Sequence, residues 1–351
     1  MYTFSILKLT DENRWIDELN SFESKDIVHS PAYMRVFELE EEGVGECFIF
    51  NSDLGKIMFP YLRRPIPYSE VYTDLATPYG YGGPILISER NDEHKLVKEF
   101  CTAFDTYARD TNTVSQFIRF HPFLQNQNIF IDVWDGITLH SNNAMVVLDC
   151  AGDGAVKMSP RRKSFRTLVN KAEQHNLVTH QILEAKWAVE FFGLYRRSMD
   201  RKNAHNALRF SEDFFVKLFR ELGTHAKWFA VKRGEEICAA SICLSHGRYL
   251  DYFLSTSDPR TLHLSPNHIM ISDICKWGVN NGVRNFHLGG GSKSLAFFKN
   301  GFANSNVEFF VGRRIFNSSV YKKITKDHYD RNKIDEDDVD LWFPSYRKVF
   351  V

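Results

Sequence analysis

Two α/β domains in tandem (α+β in detail), each a mixed, largely antiparallel sheet flanked by helices, are the fold class the sequence predicts. Three observations carry that expectation. At 351 residues the chain exceeds what one small core holds, and its 43% apolar and 14% aromatic content is ample for two. Stretches with the period of a strand interleave with stretches of helical period along its whole length. The second half also repeats the order of the first, with strands, a loop, a helix and a strand, although residue identity between the halves is faint.

In chain order, His29-Ser30-Pro31 opens a helix, because serine caps well and proline suits the first helical position, where its missing N–H has no partner to lose. The helix runs through Tyr33, Val36 and Phe37 to Gly43. Glu46 to Phe50 and Lys56 to Tyr61 read as strands around the turn-forming Asn51 to Gly55. Residues 72–87, YTDLATPYGYGGPILI, interleave Gly80, Gly82 and Gly83 with Tyr79 and Tyr81 and are expected as a loop. Residues 94–109 place Leu96, Val97, Phe100, Phe104 and Tyr107 at helical spacing, and Val114 to Phe120 is a strand leading to His121-Pro122. Residues 144–149 form another strand. The Gly152-Asp153-Gly154 turn after it marks the boundary, which sets the domains at 1–152 and 153–351.

Ser159-Pro160 then caps a helix bearing Arg161, Arg162, Lys163, Arg166 and Lys171, opposed only by Glu173. A helix around Phe191 to Asp200 ends in RKNAHNALRF, and Ser211 caps the next, with Phe210 and Phe215 at the positions of a hydrophobic staple and Gly223 as its stop. Three antiparallel strands follow, turning at Arg233-Gly234-Glu235 and Ser245-His246-Gly247. Ser265-Pro266 has the grammar of a helix start, Ile271, Ile274, Cys275 and Gly278 recur at helical spacing, and Asn281-Gly282 ends the helix. Phe286 and Leu288 alternate with Asn285 and His287 in a half-buried strand that runs into Gly289-Gly290-Gly291. Beyond it, Phe297-Phe298-Lys299 carries a cation on apolar anchors, a way to hold charge against a reacting group. The tail, 311–351, holds Arg313, Arg314, Lys322, Lys323 and Lys326 and then the acidic Asp335 to Asp338, charge runs read as solvated surface.

The 44 acidic and 44 basic residues cancel, so no global field favours nucleic acid or membrane, and an anionic partner must find a local patch. The N-terminus lacks the apolar core of a signal peptide and no segment approaches the roughly 20 apolar residues of a membrane span, which sets a cytoplasmic expectation. Cys47, Cys101, Cys150, Cys238, Cys243 and Cys275 are expected as buried reduced thiols, since no CxxC pair or Cys/His zinc spacing occurs and no metal is expected.

The order of these elements, with Ser265-Pro266-Asn267, Gly282, Gly289-Gly290 and Phe298-Lys299-Asn300-Gly301-Phe302, resembles the GNAT-related Fem family over most of the chain. That resemblance implies two tandem GNAT-like domains. It also implies transfer of an aminoacyl group from aminoacyl-tRNA to an amine of a peptidoglycan precursor, or acylation of amino groups in polysaccharide or other pathways, with no permanently bound cofactor. Two departures stand out. No charged coiled-coil pattern supplies the helical arm some Fem proteins insert, and the loop 262–267, where CoA-dependent relatives carry phosphate-cradling glycines, has none and loses an N–H at Pro266.

By resemblance, Lys299 stabilises the tetrahedral oxyanion, against the plain alternative of a surface lysine lying along Phe297 and Phe298. Arg201 matches the family position that holds a phosphate-bearing acceptor, or makes a helix-end salt bridge. Asp251, flanked by Leu250 and Tyr252 in an apolar strand, is a proton acceptor for the attacking amine or a structural partner to an arginine. His287 is a site residue or a satisfied core histidine. Tyr79 and Tyr81 are candidates to line an acceptor cleft, with Arg119 and His121 as weaker contributors beside them, and Phe298 and Asn267 complete the substrate-binding set. The basic helix from Arg161 to Lys171 meets an RNA backbone or a nucleotide diphosphate, or is a solvated face. The expected activity is N-acyl transfer, from aminoacyl-tRNA to an amine of a cell-envelope peptide or nucleotide-activated sugar, in a cleft between the two domains. Transfer from acyl-CoA to an amino sugar or other small amine is the second reading, and a non-catalytic binding module the third.

Overall fold

The computed structural model describes residues 1–89, 92–131, 133–149, 162–291, 293–303, 305–334 and 342–348. Elements follow in chain order. The first half contains β1 (Tyr2–Lys8), α1 (Glu12–Asn20), α2 (Pro31–Phe37), β2 (Val44–Ser52), β3 (Gly55–Pro65), β4 (Thr73–Ala76), β5 (Ile85–Ser88), α3 (Glu93–Asp110), β6 (Thr113–Arg119) and α4 (Gln127–Phe130). Next come β7 (Thr138–Asp149), α5 (Arg162–Gln174), β8 (Val178–Ile182), α6 (Trp187–Arg201), α7 (Glu212–Leu222), β9 (Ala226–Arg233), β10 (Glu236–His246) and β11 (Tyr249–Ser257). The chain closes with α8 (Pro266–Asn280), β12 (Asn285–His287), α9 (Lys293–Asn300), β13 (Ser305–Ile315) and α10 (Ser318–Asn332).

Two compact units result, Met1–Asn142 with Phe309–Val351, and Asn143–Glu308. The C-terminal segment, expected with the second half, therefore groups with the first. Its reason is pairing: Val311–Ile315 of β13 run antiparallel to Ser115–Arg119 of β6, and Tyr346 bonds Ser115 at 2.7 Å. The expected boundary turn at 152–154, the Ser159-Pro160 cap, Arg161, Cys150 and Asp335 to Asp338 lie outside the described residues.

Both units share one device. In the first, β1, β2, β3 and β4 pair antiparallel in sequence, and β6 then joins β4 in parallel after the crossover helix α3. In the second, β8, β9, β10 and β11 pair antiparallel, and β12 joins β11 in parallel after the crossover helix α8. A parallel neighbour requires such a crossover, so the repeated element order in the sequence becomes a repeated βαβ step. The stretch 72–87, expected as a loop, contains β4 and β5; its glycines obscured two short strands.

Some helix starts carry the cap their sequence offers. Ser30 and Ser211 each accept a backbone hydrogen bond from the third residue on, as caps should. Ser265 does not: its φ is 64° and its side chain makes no cap bond, because a short 3-10 helix over Pro259–Leu264 precedes it and a left-handed residue must turn the chain into α8. The strand alternation then decides which helices cover which face. Trp228 on β9 meets Phe191 of α6 and Phe219 of α7, whereas its neighbour Phe229 meets Trp277 of α8. The first unit buries Phe48, Phe50 and Phe59 against Phe100 and Phe104 of α3, each fully buried ring contributing about 2 kcal/mol. Cys47, Cys101, Cys238, Cys243 and Cys275 are buried and form no disulfide among the described residues.

Part of the tail is core, not solvated surface. Arg314 is buried, donates from both terminal nitrogens to Asp105 at 2.7 and 2.9 Å, and lies over Trp134. Arg314→Ala leaves Asp105 without its cation and should cost about 3 kcal/mol in urea unfolding; a loss below about 1 kcal/mol would show the pair to be dispensable.

Asp26, His29 and His121 form a second buried cluster. His121 Nδ1 accepts from the Phe123 and Leu124 N–H groups, so Nε2 carries the proton and donates to Asp26 at 2.7 Å. Burial, aided by nearby His121 and opposed by Asp26, lowers the pKa of His29 to about 4. The unfolded chain then binds more protons than the folded one between the ordinary imidazole value of about 6.5 and 4, so stability is intact above that window and falls as pH drops through it. The expected loss is about 3 kcal/mol, and His29→Gln should flatten it. An equally steep pH profile in the variant would assign the effect elsewhere.

Candidate active site

The second unit opens where its parallel pair ends. Asp251 of β11 faces His287 of β12 as the last pair in register; β11 continues to Ser257 while β12 stops, so the two strands part. The chain leaves β12 through glycines: Gly289 has φ 66° and Gly291 φ 147°, conformations that side chains resist. This exit turns the Gly290 carbonyl toward α9, where Lys299 Nζ donates to it at 2.5 Å.

Lys299 is 8% exposed and is the residue α9 delivers. One of its expected anchors holds and one does not. Phe298 packs on His268 and Phe302 at 5.3 Å each, and Phe165 of α5 closes on Phe302 at 4.4 Å, but Phe297 is 69% exposed. Gly301 allows this packing, since a Cβ there would lie 1.8 Å from the Phe165 ring. Burial lowers the Lys299 pKa to about 8, and the attraction of Asp251 is what limits the fall. Asp251 in turn lies 3.3 Å from His287 Nδ1. Asp251 thus has an imidazole at 3.3 Å and the Lys299 amine within electrostatic reach, and Lys299 is buried, not at the surface.

The remaining residues are distributed. Asn267, in the first turn of α8, donates to Ser257 Oγ at 3.4 Å. Arg201 ends α6 exposed; Asp200 pairs with Arg209, so Arg201 has no salt bridge among the described residues. Tyr79, Tyr81, Arg119 and His121 belong to the first unit. There the tyrosine-glycine loop is braced: Tyr79 N–H donates to Glu41 at 2.6 Å, Tyr33 donates to the Tyr79 carbonyl at 2.5 Å, and Asn126 donates to Gly82 and Pro84. Tyr81 is buried edge-on to Phe309, and His121 is committed to Asp26. Arg119 donates to the Thr77 and Pro78 carbonyls, rests on Phe117, and feels the Glu41 carboxylate without an ion pair at bonding distance among the described residues. Lys163, Arg166 and Lys171 of the basic helix are exposed.

Residues 159–300 match the acetyltransferase (GNAT) domain. FemX superposes with a TM-score of 0.67 at 12% identity, over 92% of this chain and 99% of that one. The chain has a FemX-like fold and carries a match to the GNAT domain over residues 159–300. Its matched GNAT segment contains Asp251, His287 and Lys299. A tandem GNAT protein from the clavulanic acid biosynthesis pathway has a TM-score of 0.50 at 10% identity, covering 90% of this chain and 99% of its own. L-PGS from Bacillus licheniformis has a TM-score of 0.50 at 14% identity, covering 84% and 94%. No curated protein sequence matches the chain. These identities speak to fold, and the Fem-like chain's chemistry must be argued from its own residues. Among the described residues no group of three or more His, Cys, Asp or Glu could hold a metal, and no helix is long and apolar enough to cross a membrane.

Lys299, Asp251 and His287 were singled out in the sequence, but not their approach to one another, which depends on the β11–β12 register and on the docking of α9 against Gly290. The Gly290 carbonyl was missed as the amine's partner, although the glycine run was the signal.

Proposed function

We propose that this Fem-like protein is an N-acyltransferase that moves an aminoacyl group from aminoacyl-tRNA to an amine of a cell-envelope peptide or nucleotide-activated sugar. The observation that carries the reading is the desolvated Lys299 amine beside the Asp251–His287 pair. The donor's carbonyl oxygen takes a place against Lys299 Nζ. The acceptor amine attacks the carbonyl carbon, the C–N bond forms, and the oxygen becomes an oxyanion that the ammonium stabilises by about 3 kcal/mol in a water-poor setting. Asp251 receives the proton the amine loses, with His287 orienting the carboxylate. The tRNA 3′-oxygen then leaves with the electron pair. Arg201, exposed and without a protein anion to hold, suits a phosphate of the acceptor.

The match to an acetyltransferase domain favours a second reading with an acyl-CoA donor. The loop before α8 weighs against it. Its N–H groups are engaged within the loop: Thr261 to the Asp258 carbonyl, Ser265 to Leu262 and His268 to Ser265, while Pro266 has none to give.

Lys299→Met should lower kcat/KM about 10²-fold while raising stability, because the charged amine is costly to bury. Wild-type kcat/KM should fall as pH rises through about 8, where the ammonium is lost. Activity of the variant within about twofold of wild type would reject the role; aminoacyl-tRNA and acetyl-CoA as alternative donors separate the two readings.

A further inference from the structure

A cleft runs along α6 in the second unit, formed by two neighbouring cavities of about 430 and 350 Å³ that share Leu194, Arg197, Asp258 and Arg260. Helix α6 forms one wall, the start of β10 and the Ser257–Arg260 segment the other. Its charges are unevenly used. Asp258 accepts from Arg260 Nε at 3.1 Å and Nη2 at 2.7 Å, and Glu236 accepts from Arg233 at 2.6 Å, so both carboxylates are neutralised. Glu190 and Arg197 make no hydrogen bond or ion pair at bonding distance among the described residues, although Arg197 is near enough to Asp258 to help lower its pKa.

Seven residues apart, these two lie on one helix face, their Cα atoms about 10 Å apart. The guanidinium reaches back over Gly193, its Nη1 3.6 Å from where a Cβ would stand, and still does not meet the carboxylate. Between and beside them the cleft presents Leu194, Val189 and Ile237. Ser198 adds a second, independent demand. It lines the cleft, is 2% exposed, and its hydroxyl has no hydrogen-bond partner among the described residues, a group whose burial costs free energy until something fills it.

We propose that this cleft binds an apolar α-amino acid through its free carboxylate and its free ammonium together. Arg197 takes the carboxylate as a two-pronged donor, the Ser198 hydroxyl adds a bond, Glu190 takes the ammonium, and Leu194 and Ile237 receive the side chain. A phosphate fits poorly. With Glu236 paired to Arg233 and Asp258 to Arg260, the walls leave one cation, Arg197, and one anion, Glu190, for a ligand, a balance that suits a zwitterion better than a multiply charged anion. The inference is independent of the Lys299 chemistry.

The test is calorimetric titration of the full chain with L-leucine, N-acetyl-L-leucine and L-leucinamide. Leucine should saturate with a Kd below about 1 mM, and each blocked analogue should bind at least about tenfold more weakly. Arg197→Gln should bring leucine down to the level of leucinamide, Glu190→Gln down to that of N-acetyl-leucine, and Lys299→Met should leave the Kd for leucine unchanged. No saturable heat from leucine up to about 10 mM would overturn the proposal. So would analogues binding as well as leucine in the wild-type protein, a comparison that needs no variant to fold.

Discussion

An amine kept out of water at the point where two strands part is the constraint on which the second unit depends. Holding Lys299 as a cation at neutral pH, with its pKa near 8 in place of the ordinary lysine value, costs about 3 kcal/mol of folding free energy. The structure tolerates that because Gly290 offers a carbonyl at bonding distance and Asp251 an opposing charge, and because Phe298 and Phe302 fix the helix that carries the lysine. A lysine serving only to stabilise the fold would sit better at the surface. A destabilised one suits a reaction whose charge appears only in the transition state, where a donor already in place needs no reorganisation.

The first unit shows the contrasting use of buried charge. Asp74 has no exposed surface and accepts from Arg64 at 2.8 Å and from Arg347 at 2.6 Å, while Arg64 also meets Glu41, which holds the Tyr79 N–H. Each member is satisfied, so the network braces the tyrosine-glycine loop and ties the C-terminal segment to the sheet. It fixes a shape, whereas the Lys299 cluster holds a desolvated amine with a lowered pKa.

Much of the fold was legible because local rules and tertiary structure agree. The helical spacing of Leu96, Val97, Phe100 and Phe104, and the turns at Gly234 and Gly247, each with positive φ, appear as read. What was not legible depends on long-range pairing. Arg313 and Arg314 look like a surface charge run until β13 is known to pair with β6, which puts Arg314 against Asp105, 209 positions away. Ser265 has every local mark of a cap, yet the preceding 3-10 helix decides its backbone. The same holds at the site. Lys299, Asp251 and His287 each stood out alone, but only the parallel register of β11 and β12 pairs Asp251 with His287, and only the docking of α9 on Gly290 brings Lys299 within their electrostatic reach. The α6 cleft gave no signal, since Glu190, Gly193 and Arg197 read as an ordinary exposed helix face.

The most direct measurement is the ionisation of the Lys299 amine itself, followed by NMR in protein labelled at the lysine side chains and assigned by the missing resonance in Lys299→Met. The account predicts a midpoint near pH 8. A midpoint at the ordinary lysine value of about 10.4 would mean a solvated ammonium and would contradict the desolvated site on which the catalytic reading rests.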